Sequence, residues 1–263
     1  MKIPGSTVLL TGATGGIGQA ISRALAARGA ELILTGRRGE QLAELALALG
    51  GRTIPADLSV RADVDDLIEQ AGRVDILISN AALPASGSLA SFTAEEIDRA
   101  LEVNVRAPLV LANALTPAML ERREGHLLFM SSLAGRAGST RTSIYNASKF
   151  ALRGFASGLR AELHGTGVGV SAVFPGFIRD AGMFADSGAT LPRGVRTRSP
   201  QDVARAVIGA IEHNRGEVDV APLSLRLGAV LGTLAPDTAA AMSRRLGAEE
   251  IGRAFEDGQR TKR

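Results

Sequence analysis

The sequence predicts an α/β protein built on a doubly wound parallel sheet, in a single domain with a helical C-terminal extension. Three observations support this. Short β-type runs alternate with amphipathic helical stretches, which is typical of parallel sheets covered by helices on both faces. Some runs are continuously apolar, as expected for strands buried on both faces. A glycine-rich segment follows the first run and opens the first helix.

The element boundaries follow from hydrophobic periodicity and from glycine and proline breaks. We predict strands at Thr7–Leu10, Glu31–Thr35, Arg52–Pro55, Val74–Ser79, His126–Met130 and Val168–Phe174. We predict helices at Ile17–Arg28, Gln41–Leu49, Asp63–Gln70, Ala94–Leu120 (kinked near Pro108), Ser143–His164 and Pro200–His213. Between the last strand and the last of these helices, Ala181–Ser199 is expected to be a loop over the site.

Composition excludes several classes of function. Apolar residues make up 45% and charged residues 22% of the chain, as in ordinary soluble domains. There is no cysteine, which removes disulfides, thiolate nucleophiles and cysteine metal sites. The three histidines, His126, His164 and His213, lack metal-ligand spacing, so no metal is predicted. The absence of cysteine leaves the compartment undecided, with a cytoplasmic location as the default.

Charge and hydropathy argue against nucleic acid and membrane partners. The formal net charge is +3, and the arginines are spread along the chain instead of forming a basic arm. Met1–Pro4 runs directly into the first predicted strand, so we expect no signal peptide. The longest apolar tract, Ala221–Ala235, is interrupted by Arg226 and is too short to span a bilayer. This tract could cover a pocket, form a subunit interface or lie on a membrane surface, and membrane contact ranks last.

The segment Thr11–Gly18, Thr-Gly-Ala-Thr-Gly-Gly-Ile-Gly, lies between the first strand and the first helix. Glycines there permit positive φ and a close approach of the backbone to a pyrophosphate. The helix N-terminus offers free N–H groups and a partial positive charge. A plain glycine-rich turn is the alternative, and the strand–turn–helix context favours phosphate binding. The candidate residues are Gly12, Thr14, Gly15, Gly16, Ile17 and Gly18.

The end of the second strand indicates which dinucleotide is bound. A carboxylate at this place binds the ribose hydroxyls of NAD, whereas an arginine accommodates the 2′-phosphate of NADP. Here Arg37 and Arg38 follow Gly36, and there is no carboxylate. Guanidinium groups hold phosphate through charge-assisted hydrogen bonds. The alternative is that both arginines merely solvate a helix start. We predict that NADP(H) is preferred over NAD(H).

Tyr145 and Lys149 open a long predicted helix and share one face at the i, i+4 spacing. At an effective dielectric near 20, an ammonium about 5 Å from the phenol lowers the tyrosine pKa by roughly two units. We therefore expect Tyr145 to be a general acid/base. A chance surface pair is the alternative. Tyr145 is the one tyrosine of the chain, and lysine occurs otherwise only at Lys2 and Lys262, which makes chance a poor explanation.

Ser131 and Ser132 end the fifth strand, and carboxyl ends of strands are where open α/β sheets bind ligands. A hydroxyl there can donate to a carbonyl or alcohol oxygen and hold it against the tyrosine. A serine after a strand is also an ordinary turn former.

Taken in order, the motifs resemble those of the short-chain dehydrogenase/reductase family over about residues 5–220. The matching residues are Thr11–Gly18, Asp57-Leu58, Asn80-Ala81-Ala82, Asn104, Ser132, Tyr145-x-x-x-Lys149 and Pro175-Gly176. Ser132 lies thirteen residues before Tyr145, the usual interval in the family, which selects it over Ser131. The resemblance implies a Rossmann-fold NAD(P)-binding domain with the catalytic site in residues 1–220, and a helical tail of the same domain in residues 221–263.

By this resemblance, Tyr145 transfers the proton and Ser132 orients the substrate oxygen. Lys149 would hold the nicotinamide ribose and lower the tyrosine pKa, and Asn104 would bind a water that completes a proton relay. Asp57 would contact the adenine. The remaining residues expected to line the cofactor are Leu58, Asn80, Ala81, Ala82, Pro175, Gly176 and Ile178.

Three departures from the family pattern matter. Ala82 stands where glycine is more frequent. Asp180 occupies the place of a threonine that commonly contacts the nicotinamide carboxamide. The end of the chain lacks the glycine pair that is common in tetrameric members, so we consider a homodimer or a monomer.

The residues expected to flank the substrate are apolar: Leu83, Leu133, Ile144, Phe177, Met183 and Phe184. They predict a hydrophobic ketone, aldehyde or alcohol as substrate, although some of them could simply be core. The main alternative function is a non-catalytic NADP(H)-binding sensor, which would lack Tyr145, Lys149 or Ser132. A serine hydrolase would need a Gly-x-Ser-x-Gly elbow, which is absent. A sugar-nucleotide epimerase would need a larger substrate domain.

Overall fold

The computed structural model describes residues 1–191, 195–245 and 247–259 of the chain. Within these residues, seven parallel strands form one sheet in the order β3-β2-β1-β4-β5-β6-β7. They are β1 (Thr7–Thr11), β2 (Glu31–Gly36), β3 (Arg52–Pro55), β4 (Ile76–Ser79), β5 (Gly125–Met130), β6 (Val168–Pro175) and β7 (Glu217–Val220). The predicted doubly wound parallel sheet in one domain is confirmed.

The helices cover both faces of the sheet. They are α1 (Gly16–Ala26), α2 (Gly39–Leu49), α3 (Arg61–Ala71), α4 (Ala94–Leu101), α5 (Ala107–Glu121), α6 (Ser143–Glu162), α7 (Gly182–Ser187), α8 (Pro200–Glu212), α9 (Leu223–Leu234), α10 (Pro236–Arg245) and α11 (Ala248–Gln259). Helices α1, α2 and α8 bury their apolar stripes on one face, and α3, α5 and α6 bury theirs on the other. The central strands are therefore buried between two apolar layers, as their continuous hydrophobicity predicts, whereas the edge strands β3 and β7 are partly exposed.

Sequence analysis missed strand β7. Its sequence Glu-Val-Asp-Val alternates polar and apolar residues, because it is an edge strand that pairs only with β6. The alternation is the signal that could have identified it. Its acidic residues, Glu217 and Asp219, pair with Arg136 on the neighbouring loop at 2.8 Å and 2.7 Å.

The predicted long helix over residues 94–120 is interrupted just before Pro108. A π-helical segment, Glu102–Arg106, separates α4 from α5, and the Ala107 N–H donates to the Glu102 carbonyl five residues back. Proline lacks an N–H, so Pro108 cannot donate to the carbonyl of Asn104 four residues earlier. The break in the regular pattern thus falls at Asn104, slightly upstream of the predicted kink.

The expected loop over residues 181–199 contains the short helix α7, so the loop assignment was incomplete. Residues 192–194 of that loop, and residues 246 and 260–263 of the predicted tail, lie outside the described residues. The described part of the tail forms α9, α10 and α11. Across the described ranges, no helix is long and apolar enough to cross a membrane.

Candidate active site

The chain order reverses between β1 and β4, and the turn from β1 to α1 lies at that switch point, where open α/β sheets bind ligands. Gly12 has φ of +65°, and a Cβ there would lie 2.8 Å from the Ala81 Cα. A Cβ on Gly18 would lie 2.2 Å from the Gly12 carbonyl oxygen. The turn is therefore held in a shape that only glycine permits. Helix α1 begins at Gly16 with no acidic residue in its first turn, so its free N–H groups can receive an anion.

Arg37 and Arg38 follow β2 at the same edge of the sheet, and both line the cavity described below. The Arg38 guanidinium donates to the Thr14 hydroxyl from two nitrogens, at 3.2 Å and 2.9 Å. This contact ties the arginine to the glycine-rich turn. Both side chains remain exposed, so their charge faces the mouth of the cavity.

Asp57 follows β3, and its carboxylate accepts hydrogen bonds from the Ser59 N–H and hydroxyl at 3.0 Å and 2.7 Å. Partial burial acts to raise the pKa of Asp57. The two hydrogen bonds, together with the positive charge of Arg37, outweigh it and hold the pKa below its ordinary value. The carboxylate is thus ionised near the arginines. Leu58, beside it, also lines the cavity.

Asn80 follows β4 and joins it to the glycine-rich turn. Its side-chain nitrogen donates to the carbonyls of Thr11 and Gly12 at 3.0 Å and 3.3 Å. The Thr11 hydroxyl accepts the N–H groups of Asn80 and Ala81, both at 3.0 Å. These bonds hold the Asn80–Ala82 segment along the cavity wall.

The structure separates the two serines that follow β5. Ser131 is buried and its hydroxyl donates to the Lys149 carbonyl at 2.9 Å, which is a structural contact. Ser132 is half-buried; its hydroxyl accepts the Ala134 N–H at 3.2 Å and donates to the Pro175 carbonyl at 3.4 Å, and its proximity to the phenol acts to lower the pKa of Tyr145. The choice of Ser132 over Ser131 as the catalytic serine stays a prediction.

Lys149 lies one helical turn after Tyr145 on α6, and its Nζ is 5.5 Å from the centre of the tyrosine ring. The ammonium donates to the Met130 carbonyl at 3.0 Å, and the side chain is 2% exposed. Burial lowers the pKa of Lys149 to about 8. Burial also raises the pKa of Tyr145 to about 12, with the Ser132 hydrogen bond acting in the opposite direction.

The expected lowering of the Tyr145 pKa by Lys149 is therefore not found among the protein's own groups. The expectation counted the attraction between phenolate and ammonium and left out the desolvation of both. Among the protein's own groups desolvation dominates, because removing either charge from water is costly.

Asn104 lies in the π-helical segment and is fully buried. Its amide oxygen accepts the Leu83 N–H at 2.7 Å, and its amide nitrogen donates to the Leu83 carbonyl at 2.9 Å. The side chain therefore holds the loop after β4 in place. The water-binding role implied by the family resemblance stays a prediction.

The segment after β6 is the one that the sequence places near the nicotinamide. A Cβ on Gly176 would lie 3.1 Å from the Ala221 Cβ, so that glycine, next to Pro175, allows close packing. Ile178 pairs with Arg198 in an isolated parallel bridge. Asp180 has φ of +67° and an exposed side chain 3.4 Å from Arg179, and it is not among the cavity-lining residues. A contact between Asp180 and the carboxamide therefore has no support.

Apart from Asn104 and Asp180, the candidate catalytic and cofactor-binding residues line one cavity of about 1050 Å³. Of the candidate substrate residues, Leu83, Leu133, Phe177, Met183 and Phe184 line it as expected. Ile144 does not, because it is buried in a separate small cluster with Ala85 and Ala100. Three residues of α9, Leu225, Gly228 and Ala229, also line the cavity, which agrees with one of the alternatives given for the apolar tract Ala221–Ala235. Sequence analysis missed the lining residues on α11, for which no local motif exists: Ile251, Phe255 and Gln259.

A doubly wound sheet with a glycine-rich turn at its switch point defines the class of dinucleotide-binding α/β proteins. The model of the short chain dehydrogenase family matches residues 6–191, and the chain belongs to this family. It is an NAD(P)-dependent oxidoreductase that acts on CH–OH or C=O groups.

Three known proteins illustrate the relationship. The chain is 37% identical over 227 residues to the ketoacyl reductase HetN of Nostoc sp., covering 83% of this chain and 79% of that protein. A short-chain dehydrogenase from Sphingobium yanoikuyae, solved in complex with NADPH, aligns at 28% identity with a TM-score of 0.76, covering 89% and 95% of the two chains. The bulky-bulky ketone specific alcohol dehydrogenase from Comamonas testosteroni aligns at 25% identity with a TM-score of 0.75, covering 94% of each.

Proposed function

We propose that this protein is an NADP(H)-dependent reductase that converts a hydrophobic ketone or aldehyde to the alcohol, with Tyr145 as the proton donor. The observation that carries the proposal is the grouping of Ser132, Tyr145 and Lys149 on the wall of one cavity, with the Lys149 Nζ 5.5 Å from the centre of the Tyr145 ring. One end of that cavity carries the glycine-rich turn and two arginines, and elsewhere the lining includes apolar side chains: Leu83, Leu133, Phe177, Met183 and Phe184.

The residues at the first end fit a dinucleotide with a 2′-phosphate. The glycine-rich turn has no room for a Cβ at Gly12 or Gly18, and the N-terminus of α1 favours a pyrophosphate. Arg37 and Arg38 would hold the 2′-phosphate, and Asp57 would contact the adenine. The remaining contacts would come from Thr14, Gly15, Gly16, Ile17, Leu58, Asn80, Ala81, Ala82, Tyr145, Lys149, Pro175, Gly176 and Ile178.

The protein's own groups favour carbonyl reduction. When bound, the reduced dinucleotide supplies the hydride. A phenol whose pKa is about 12 stays protonated at neutral pH, so Tyr145 can donate its proton to the carbonyl oxygen. The Ser132 hydroxyl donates to the same oxygen and holds it in place. Lys149, with a pKa of about 8, can return a proton to the tyrosine near neutral pH, and Asn104 would hold the water that completes this relay.

The Tyr145→Phe variant tests the mechanism, because it keeps the ring and removes the acid. We expect kcat/KM for carbonyl reduction to fall by about 10²–10⁴-fold, the usual contribution of a general acid. NADPH affinity, followed by NADPH fluorescence, should fall much less than kcat/KM, because the variant loses only the hydroxyl contact of Tyr145 with the cofactor. Full activity in this variant contradicts the mechanism.

Assays over aliphatic, steroid, aryl and polar carbonyls with NADPH and NADH test the substrate class. Turnover restricted to sugars or hydroxy acids contradicts the hydrophobic assignment. The homodimer and the cytoplasmic location stay predictions, which sedimentation and cell fractionation would test.

A further inference from the structure

An aromatic cluster formed by Phe177, Phe184 and Phe255 lines part of the cavity. Phe177 comes after β6, Phe184 from α7 and Phe255 from α11 near the end of the chain. Their ring centres lie 5.2–6.3 Å apart, so all three rings are in contact. Helix α11 therefore supplies one wall of the cavity.

Two glycines let the backbone of α11 pack directly against the backbone of neighbouring segments. A Cβ on Gly258 would lie 2.2 Å from the Ser187 carbonyl oxygen at the end of α7. A Cβ on Gly252 would lie 3.1 Å from the Thr140 carbonyl oxygen. No larger side chain fits at Gly258 without a shift, which fixes the distance between α11 and α7.

Arg141 holds the same helix by charge. Its guanidinium donates to Glu249 at 3.0 Å and also to Glu256, one residue after Phe255. The Arg141 carbonyl accepts the Gly87 N–H at 2.6 Å, and its backbone φ is +58°. Arg141 precedes Tyr145 by four residues, so it connects the start of the catalytic helix to the wall.

Gln259, the last described residue of α11, places an amide in this wall. Its side-chain nitrogen donates to the Met183 carbonyl at 3.2 Å, and the residue is 1% exposed. Its amide oxygen is buried and has no hydrogen-bond partner within the described part of the protein. A buried acceptor without a donor is unfavourable, and Gln259 lines the cavity, so a bound molecule can supply the missing donor.

We propose that α11 selects the substrate: Phe255 packs on a bulky apolar group, and the Gln259 amide oxygen accepts a hydrogen bond from a hydroxyl or amide N–H carried by that group. Arg141 is a positioning residue that holds the helix in place. The substrate class is thus a bulky ketone with one hydrogen-bond donor away from its carbonyl. This inference rests on the proposed carbonyl reductase function.

Pairs of ketones that differ only in one hydrogen-bond donor test the role of Gln259. The probes are meta- and para-hydroxybenzophenone, each compared with its methoxy counterpart, which has no donor. We expect the wild type to prefer a hydroxyl compound by about tenfold in kcat/KM, which corresponds to one hydrogen bond. Gln259→Leu should abolish the preference, whereas Gln259→Glu, which keeps an acceptor, should retain it. A preference that survives in Gln259→Leu overturns the proposal.

The Phe255→Ala variant tests the apolar part of the wall. We expect KM for the benzophenones to rise about tenfold with kcat nearly unchanged, because the ring contributes binding energy and no chemistry. The control is Leu227→Ala, which removes an exposed apolar side chain from α9. Equal effects of the two variants, or an effect of Gln259→Leu on NADPH affinity, also overturn the proposal.

The two proposals fail in different ways. A wild-type protein that reduces no carbonyl with either cofactor contradicts the proposed function. Calorimetric binding of the same ketones to the wild type and to Gln259→Leu then tests only whether Gln259 binds the substrate. Equal affinities of the two proteins for the hydroxyl compounds reject this role of Gln259, and weaker binding to the variant supports it.

Discussion

The two ends of the cavity are built in different ways. The dinucleotide end comes mostly from one stretch, Gly12–Leu58, in which the ends of β1, β2 and β3 meet at one edge of the sheet. The substrate end is assembled from segments spread over the chain, from Leu83 to Gln259. The first end is constrained by backbone shape, and the second by side-chain packing and ion pairs.

This difference explains which part of the site can be identified from a sequence. A glycine that must adopt positive φ or contact another backbone leaves a local pattern, as at Gly12 and Gly18. A wall that depends on Phe255 meeting Phe177 leaves none, because the two residues are brought together only by the fold.

The largest expected effect lies at the dinucleotide end. We expect Arg37→Asp to shift the ratio of kcat/KM for NADPH and NADH by about 100-fold toward NADH. The substitution removes a charge-assisted hydrogen bond of about 1.5–3 kcal/mol and adds repulsion of the 2′-phosphate. The control is Arg28→Asp, an exposed arginine at the end of α1 that pairs with Glu212 at 3.6 Å. An unchanged ratio in Arg37→Asp removes the argument for NADP(H).

The next effect concerns Lys149, where the two ends meet. Its folded pKa of about 8 lies below the ordinary value of 10.5, so between these pH values the unfolded state binds more protons. The free energy of unfolding should therefore rise with pH from 8 toward 10, by at most about 1.4 kcal/mol per pH unit.

Urea unfolding at a series of pH values measures this rise. Above pH 10 the free energy of unfolding should fall again. The pKa of Tyr145 is raised from 10.0 to about 12 in the folded protein, so the tyrosine of the unfolded chain loses its proton first. The Lys149→Met variant should lack the rise between pH 8 and 10. A variant with the same slope as the wild type would show that Lys149 is not desolvated.

The smallest effect is expected at the substrate end. Arg141→Gln removes both ion pairs to α11 and should raise KM for the benzophenones about fivefold with little change in kcat, as for loss of a partly exposed ion pair. Amide hydrogen exchange should become faster in residues 248–259 and stay unchanged in α8. Arg205→Gln, which breaks the exposed pair with Asp202 on α8, is the control. Uniform changes across the protein would mean that Arg141 acts on global stability alone.

Much of the fold was predictable, because the six predicted strands and the main helices have clear patterns in the sequence. Strand β7 was missed because an edge strand with two acidic residues lacks the apolar run of a buried one. The break in the long helix was expected at Pro108 and occurs at Glu102–Arg106, since a missing N–H disturbs the turn before the proline.

The site was predictable where chemistry leaves a local spacing. Tyr145, Lys149 and Ser132 come together as their intervals indicated, and Ile144 does not join them. The pKa of Tyr145 could not be predicted, because desolvation depends on the whole surrounding fold and not on the lysine four residues away.

The single tyrosine has a practical consequence. The chain contains no tryptophan, and Tyr145 is its one phenol, so tyrosine absorbance and emission come from the active site alone. An ultraviolet difference titration of the unlabelled wild-type protein would report the ionisation of this one group without background. The same signal, followed as cofactor is added, would show how far the phenol's proton affinity changes. The protein carries its own spectroscopic reporter at the phenol that would transfer the proton in the proposed mechanism.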